Sequence, residues 1–340
     1  MESDLNRSSR LLILLRTTLG TLLALIVVIA FFTIADNLQS GGGRFATVKN
    51  AQNIVVQSAT VGVAALGMTI IIVSGGIDLS AGTGMALCAV VLAWCLRADY
   101  APSLAIAAGI LAGGLIGAVN GLLISILRVV PFIVTLGTMT IFLGLSKVIA
   151  ENRTIRPAPE QVPEWIPQLL NPRIDTPWML FPAGVWFLIS LSLVVALLLK
   201  FTVLGRHITS MGANQRAAWL CGINLFRTRM IVYTLGGVTV GIAGVFQFAR
   251  LTSANPTSGT GKELLIIASV IIGGGSLNGG RGSILGTLAG ALLMQVISSG
   301  CTALKLPNPI QEIIIGTIIV AAVTLDQWRQ GRVFARHAKN

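Results

Sequence analysis

Gly75-Gly76-Ile77-Asp78-Leu79-Ser80 places a carboxylate directly after a charge-free run that covers residues 50–77. A charged group at or near bilayer depth costs so much free energy that it usually marks a functional position. The two glycines allow the backbone to leave helical geometry and to approach another group closely. Together these features indicate a transport path rather than a soluble enzyme.

The composition of the chain is that of a membrane protein. Of its 340 residues, 54% are hydrophobic and only 11% are charged, whereas an average soluble domain carries about 25% charged residues. Charge-free runs such as 101–127, 179–199 and 230–249 reach the length of about 20 residues that a helix needs to cross a bilayer. We therefore predict an all-α membrane protein, a bundle of about ten transmembrane helices with broken or short helices near the Gly-rich segments.

The apolar runs predict one transmembrane domain over residues 1–340. We place the spans at 12–35, 54–74, 82–97, 102–127, 132–150, 179–200, 229–249, 263–275, 283–303 and 309–326. The shortest window, 263–275, is expected to be broken or tilted. A proline-rich outer loop is predicted at 151–178 and a basic cytoplasmic loop at 201–228.

The formal net charge of +12 superficially suggests a nucleic-acid partner, but the basic residues lie between the apolar runs. We interpret them as topology signals, because cytoplasmic loops of membrane proteins are enriched in lysine and arginine. Most of the positive excess falls in cytoplasmic segments when both termini are placed in the cytoplasm, so we predict cytoplasmic N- and C-termini and an even number of spans. We expect no nucleic-acid partner. The four cysteines have no metal-type spacing, so no metal site is expected.

Glycines recur every four positions in two series. These are Gly109, Gly113, Gly117 and Gly121, followed by Gly282, Gly286 and Gly290. Small residues at this spacing share one helix face and let two helix backbones approach closely. We predict that both series pack helices, with chance spacing in a chain of 38 glycines as the alternative.

Two Gly-rich segments resemble each other. Residues 74–80 and residues 273–280 each follow an apolar run and precede another Gly-rich span. Repeats with interrupted helices often frame the substrate site of a transporter. Because the match is short, chance similarity is the alternative to an internal repeat.

A set of short motifs follows in order along the chain. They are Gly67-Met68-Thr69, residues 75–80, Asn120-Gly121, residues 131–138, the series Gly212, Asn214, Ala217, Ala218 and Gly222, residues 273–277, Gly279-Gly280 and Gly286-Thr287. Together they resemble the ribose-type sugar permeases of ABC importers, and the resemblance extends from about Asn53 to Asp326. Ala81 and residues 278–281 depart from common forms of the family pattern, which leaves the sugar undecided.

The resemblance implies a permease subunit, not an enzyme, that translocates a monosaccharide of the ribose or galactose kind by alternating access. It implies three kinds of partner: an extracytoplasmic sugar-binding protein, an ABC ATPase subunit, and a second permease copy or paralogue. It also implies that the protein is located in the bacterial cytoplasmic (inner) membrane. ATP and Mg would bind to the ATPase, and no cofactor is expected on this chain. Gly261-Lys262 is its nearest approach to a Walker loop, but Pro256 and Glu263 replace residues that the loop requires.

The basic loop predicts the site of coupling to the ATPase. Five residues follow the spacing of the permease loop that docks on that subunit: Asn214, Arg216, Ala217, Ala218 and Gly222. Two alanines would give a short helix a thin face that enters a groove, and glycine permits the turn that ends it. The alternative is an amphipathic turn that faces lipid.

Polar residues within the apolar runs predict the substrate path. The candidates are Asp78, Ser80, Asn120, Thr135, Gln247 and Gln295. Asp78 has an alternative role as a local helix cap, because a short carboxylate accepts hydrogen bonds from free amides. Asn120 has an alternative role as a hydrogen bond between helices.

The alternative function is an ion-coupled secondary transporter of a small polar solute. Such a protein is expected to carry titratable residues in several spans. Here Asp78 is the one candidate, with Glu263 and Glu312 near span ends. An intramembrane enzyme is disfavoured because the chain lacks paired catalytic residues.

Overall fold

The computed structural model describes residues 2–39, 43–171 and 181–337, and within these ranges the chain is helical. The helices are α1 (Glu2–Leu38), α2 (Val48–Val73), α3 (Ala81–Arg97), α4 (Pro102–Leu127), α5 (Pro131–Ile149), α6 (Trp165–Gln168), α7 (Ala183–Phe201), α8 (Val203–Ala213), α9 (Gln215–Leu220), α10 (Leu225–Leu251), α11 (Lys262–Ile272), α12 (Ile284–Ala303) and α13 (Asn308–His337). A 3-10 turn covers Pro159–Gln161. The described residues form no strand, only one isolated bridge between Ile155 and Ala254.

The prediction of an all-α membrane protein is confirmed, but the prediction of about ten spans is not. Seven helices in the described ranges are long and apolar enough to cross a bilayer, namely α1 from Gly20 onward, α2, α4, α5, α7, α10 and α12. Three of the predicted windows fall on α3, α11 and α13. The first two have only 17 and 11 residues, and the described side chains of the third give an apolar stretch over Asn308–Ala321. Residues 172–178 of the predicted outer loop lie outside the described ranges.

Helices α2 and α10 form the centre of the bundle. Every residue of α2 from 58 to 73 is buried, so this part of the helix has no lipid-facing stripe. A helix that is apolar all round belongs inside a protein or a membrane. It is surrounded by α7, α10, α11 and α12, while α10 also packs along α3 and α4.

The contact between α4 and α10 is made by glycines without intervening side chains. A Cβ atom on Gly117 would overlap the carbonyl oxygen of Tyr233, and one on Gly113 would overlap the carbonyl of Gly237. Close approach of two backbones gains van der Waals contact that lipid cannot replace. Gly121 has more room, since a Cβ there would lie 3.2 Å from the Cβ atom of Tyr233. Gly109 faces α3 instead, where a Cβ would lie 3.2 Å from the carbonyl oxygen of Cys88.

The second glycine series is divided between a turn and a helix. Gly286 and Gly290 lie on α12 against the backbone of Gly273 and Ser269. Gly282, by contrast, precedes the helix, so its assignment to the same helix face is wrong. The reason is local: Ser283 is the N-cap of α12 and its hydroxyl accepts the amide of Gly286 at 3.1 Å.

The two ends of α10 mark opposite ends of the bundle. The first residue of α10 follows α9 after a short connection, so α9 lies at that end of α10. Beyond its last residue, Ala254 exchanges two backbone hydrogen bonds of 2.9 Å with Ile155. Gln161 donates to the carbonyl of Arg97 at 3.3 Å, so the end of α3 lies on the Ile155 side as well. The segment 151–171 and helices α8 and α9 therefore lie at opposite ends.

We expect Gly117→Ala to lower the unfolding temperature of the purified protein, because the new methyl group forces α4 away from α10. Overpacking of this kind costs about 1–3 kcal/mol. The measurement is thermal unfolding in detergent. Gly144→Ala is the matched control, since a Cβ on that glycine meets nothing within 4 Å. An unchanged unfolding temperature in Gly117→Ala would contradict the close contact.

Candidate functional site

The turn that follows α2 is shaped by two glycines. Gly75 has φ +84°, a left-handed conformation that glycine adopts without steric cost. The amide of Gly76 then donates to the carbonyl of Ile71 at 3.0 Å, which closes the end of the helix. Gly76 also makes room for a neighbour, because a Cβ there would lie 2.5 Å from the hydroxyl of Tyr233. The chain therefore reverses inside the bundle and enters α3 at Ser80.

A buried polar cluster is built on this turn. Asp78 Oδ1 accepts the backbone amide of Ser80 at 2.8 Å and the Ser80 hydroxyl at 2.6 Å. Asn120 on α4 donates to the Ser80 hydroxyl oxygen at 2.8 Å and to Asp78 Oδ1 at 3.4 Å. Thr138 on α5 donates to Asn120 Oδ1 at 2.7 Å. Asp78 is only 1% exposed, so the network is shielded from solvent.

Two further hydroxyl groups lie at the carbonyl oxygen of Ile77. Tyr233 Oη on α10 donates to it at 3.3 Å. Thr135 Oγ1 lies at the same distance, although its shorter contact is with the carbonyl of Pro131 in its own helix at 3.0 Å. The turn is thus held by side chains from α4, α5 and α10.

Four of the six predicted path residues therefore lie together: Asp78, Ser80, Asn120 and Thr135. Sequence reasoning missed two members of the cluster, Thr138 and Tyr233. Thr138 had a usable signal, since it lies three residues after Thr135 and hence on the same face of α5. The indication for Tyr233 was only weak, namely that the chain has just two tyrosines.

The two glutamines do not join this cluster. Gln247 is 14 positions beyond Tyr233 on α10, which is roughly 21 Å at about 1.5 Å per residue. Its amide oxygen accepts Lys262 Nζ at 2.9 Å, and its amide nitrogen donates to Ser258. Gln295 is buried in α12.

The cluster has the chemistry of a polar hinge. Asp78 accepts a hydrogen bond from the amide of Ser80, the residue that precedes α3. This is the geometry expected if Asp78 acts as a local helix cap. Asn120 links the turn to α4, as its alternative role requires. Hydroxyl and amide groups are also those that exchange hydrogen bonds with sugar hydroxyls, so the role in the substrate path stays a prediction.

Three Gly-containing segments meet next to the turn, and we call this contact the glycine junction. It consists of Val73 and Gly75 at the end of α2, Gly212 on α8, and Gly279 and Gly280 before α12. The amide of Gly280 donates to the carbonyl of Val73 at 2.8 Å. A Cβ on Gly212 would overlap that carbonyl and lie 2.6 Å from the Gly280 nitrogen. The two segments that resemble each other in sequence are therefore in direct contact, with α8 pressed against both.

The predicted coupling residues form an exposed turn next to α8. Asn214 separates α8 from α9 and caps α9, since its Oδ1 accepts the amide of Ala217 at 3.0 Å. Gly222, with φ +84°, ends the turn. Arg216 and Ala217 are exposed, whereas Ala218 is buried against the bundle. The prediction that both alanines form one thin outward face is therefore wrong.

A comparison with known proteins shows which family the chain belongs to. A family model described as "Branched-chain amino acid transport system / permease component" matches residues 50–323. The chain belongs to this permease family. It is therefore a transport component rather than an enzyme, and a multi-pass membrane protein.

Curated relatives within the permease family carry the names of sugar permeases. The chain is 36% identical to the ribose import permease protein RbsC of Escherichia coli K12, over 91% of this chain and 94% of the relative. It is 34% identical to the fructose import permease protein FrcC of Rhizobium meliloti, over 84% of this chain and 80% of the relative. It is also 34% identical to the D-allose transport system permease protein AlsC of Escherichia coli K12, over 91% of each. The resemblance to ribose-type permeases is confirmed, and no solved structure matches significantly.

We expect Thr138→Val to destabilise the permease by about 1–3 kcal/mol, because the buried oxygen of Asn120 loses its donor. Thr138→Ser keeps the hydroxyl and should unfold closer to wild type. Thr140→Val is the control, since that hydroxyl is exposed and bonds within its own helix to Leu136. The measurement is the unfolding temperature in detergent. Equal values for the valine and serine variants would show that the bond contributes nothing.

Proposed function

We propose that this chain is the membrane permease subunit of an ABC importer for a monosaccharide of the ribose or galactose kind. The sugar would be delivered by an extracytoplasmic binding protein, and a separate ATPase would supply the energy. The observation that carries the proposal is the similarity to three differently named sugar permeases over at least 80% of each chain. Since those relatives differ in their sugars, the proposal stops at the monosaccharide class.

The distribution of charge supports an orientation with α8 and α9 in the cytoplasm. Arg206, Arg216, Arg227 and Arg229 all lie in or next to this segment, and residues 176–262 contain no acidic side chain. Positive loops remain on the cytoplasmic side of a membrane. The segment 151–171 at the other end would then face outward, where a binding protein arrives. If the short helices α3 and α11 and helix α13 complete the path across the membrane together with the seven long helices, the number of crossings is even and both termini are cytoplasmic. The membrane would be the bacterial inner membrane.

The exposed turn around α9 suits a docking role for the ATPase. Arg216 and Ala217 project from it, while Asn214 and Gly222 fix where it begins and ends. ATP and Mg would bind to the ATPase, because this chain lacks the phosphate-binding loop that such chemistry requires. The apolar faces that α4, α5 and α7 leave exposed provide surface for lipid and for a second permease copy or paralogue.

The glycine junction offers a route from the docked ATPase to the substrate path. Gly212 on α8 touches the backbone at Val73, only a few residues before Asp78. A displacement of α8 therefore moves the turn that carries the polar cluster. Alternating access follows if the ATPase and the binding protein each favour a different one of two states.

We expect uptake in vesicles to require the permease, an ATPase and a binding protein together. Uptake should be abolished by vanadate and should resist ionophores that collapse proton and sodium gradients. The measurement is radiolabelled sugar accumulation, with vesicles that lack the ATPase as the control. Uptake that proceeds without the ATPase and stops with ionophores would instead support an ion-coupled secondary transporter.

We expect Gly212→Ala to reduce uptake about tenfold, within the range of typical coupling free energies, while basal ATP hydrolysis by the assembled complex continues. The new methyl group would separate α8 from the end of α2 and break the route between them. The measurement compares uptake, ATPase activity and its stimulation by the binding protein.

Gly137→Ala is the control for this variant, since a Cβ on that glycine meets nothing within 4 Å. Normal stimulation and uptake in Gly212→Ala would contradict the proposed route. Loss of the ATPase from the purified complex would instead assign Gly212 a role in assembly.

A further inference from the structure

A cavity of about 1010 Å³ opens at the end of the bundle that carries α8 and α9. It lies between the last turn of α4, the connection to α5, helix α9 and the start of α10. Its wall includes Ser125, Arg128, Val130, Trp219, Phe226 and Arg229. None of the polar cluster residues lines it, so it is separate from the predicted substrate path.

The charged side chains on the wall of this cavity are all basic. Arg128 and Arg229 both line it, and no acidic residue does. The chain segments that form the wall also contain none, because residues 100–150 and 176–262 have neither aspartate nor glutamate. Guanidinium groups are suited to phosphate, which they bind through two parallel hydrogen bonds. The cavity therefore fits an anion.

The wall carries further hydrogen-bond donors. At the start of α10, the side-chain oxygen of Asn224 accepts the amide of Arg227 at 2.9 Å. Its backbone carbonyl accepts the amide of Thr228 at 3.0 Å and the Thr228 hydroxyl at 2.9 Å. The amides of Leu225 and Phe226, at the first two helical positions, have no acceptor within the helix and lie at its positive end. The Ser125 hydroxyl is buried without a hydrogen-bond partner among the described residues.

The position and the rim of the cavity fit a lipid. Arg128 directly follows the apolar helix α4, so the cavity lies where a membrane span ends and headgroups begin. Val130, Trp219 and Phe226 on its wall are 62%, 64% and 47% exposed. Aromatic side chains are enriched at this depth of a membrane. A ligand with an anionic head and apolar chains would satisfy both parts of the surface.

We propose that this cavity binds an anionic phospholipid of the cytoplasmic leaflet. The phosphate lies between Arg128 and Arg229 at the start of α10, and the acyl chains cover Val130, Trp219 and Phe226. The bound lipid then supports the turn around α9 from its membrane side. The assignment rests on the proposed orientation of the chain and is independent of the sugar that the permease carries.

The test measures lipid retention by the full-length permease in bilayer nanodiscs of phosphatidylcholine with added phosphatidylglycerol. After a detergent wash, mass spectrometry counts the lipids that remain bound. Each basic residue near an anionic surface contributes about fivefold in affinity, so Arg128→Gln with Arg229→Gln should retain phosphatidylglycerol about 30-fold more weakly. The control, Arg97→Gln with Arg153→Gln, changes two arginines at the opposite end and should match wild type.

Several outcomes would overturn the proposal. Equal retention of phosphatidylglycerol by the double variant and wild type would do so, as would equal enrichment of phosphatidylcholine, which would reveal an apolar groove without a headgroup site. Release of the lipid by excess inorganic phosphate would indicate a soluble anion as the ligand. Loss of ATPase binding with unchanged lipid retention would assign the arginines to the protein partner.

If the double variant fails to fold, the single variants decide the question. Arg128→Gln and Arg229→Gln should each weaken retention of phosphatidylglycerol about fivefold. Wild-type retention in both would overturn the proposal.

Discussion

Backbone groups that a helix releases inside a bilayer must find partners within the protein, because lipid offers none. The interruption after α2 obeys this requirement. The carbonyl oxygen of Ile77 accepts a hydrogen bond from the Tyr233 hydroxyl, and the carboxylate of Asp78 accepts one from the amide of Ser80. The arrangement of α4, α5 and α10 around the turn follows from this need, since each of these helices contributes a polar side chain to it or to its immediate neighbours.

The same requirement explains why the end of α2 also lies against the backbone of a second segment. The carbonyl of Val73 is paired with the amide of Gly280, which brings the two Gly-rich segments together. Gly212 completes the contact because any side chain there would displace one of them. A contact between bare backbones cannot absorb a displacement by changing rotamers, which is why the proposed coupling route runs through this contact.

The helices and much of the polar cluster were predictable from sequence, because apolar runs and the polar residues within them are local properties. Asp78, Ser80, Asn120 and Thr135 stand out for that reason. Gln247 satisfied the same criterion but lies near the other end of α10, since the criterion detects polarity and not depth. Tyr233 was missed because an aromatic ring is unremarkable in an apolar helix.

The errors in the predicted helix ends also have a specific physical cause. Gly282 was assigned to a helix that starts only after the Ser283 cap, and spacing alone does not show where capping occurs. The short helices α3 and α11 begin next to glycines that break the apolar runs. Their length therefore depends on contacts made by the rest of the bundle, which hydropathy does not record.

The hydrogen bond between Tyr233 and Ile77 joins residues that are 156 positions apart in the chain. A ribosome that feeds this protein into a membrane therefore delivers the broken end of α2 long before α10 exists to pair with it. The nascent chain must keep that polar bend near water or near the insertion machinery until α4, α5 and α10 have followed. Assembly of the bundle consequently waits on translation of its second half.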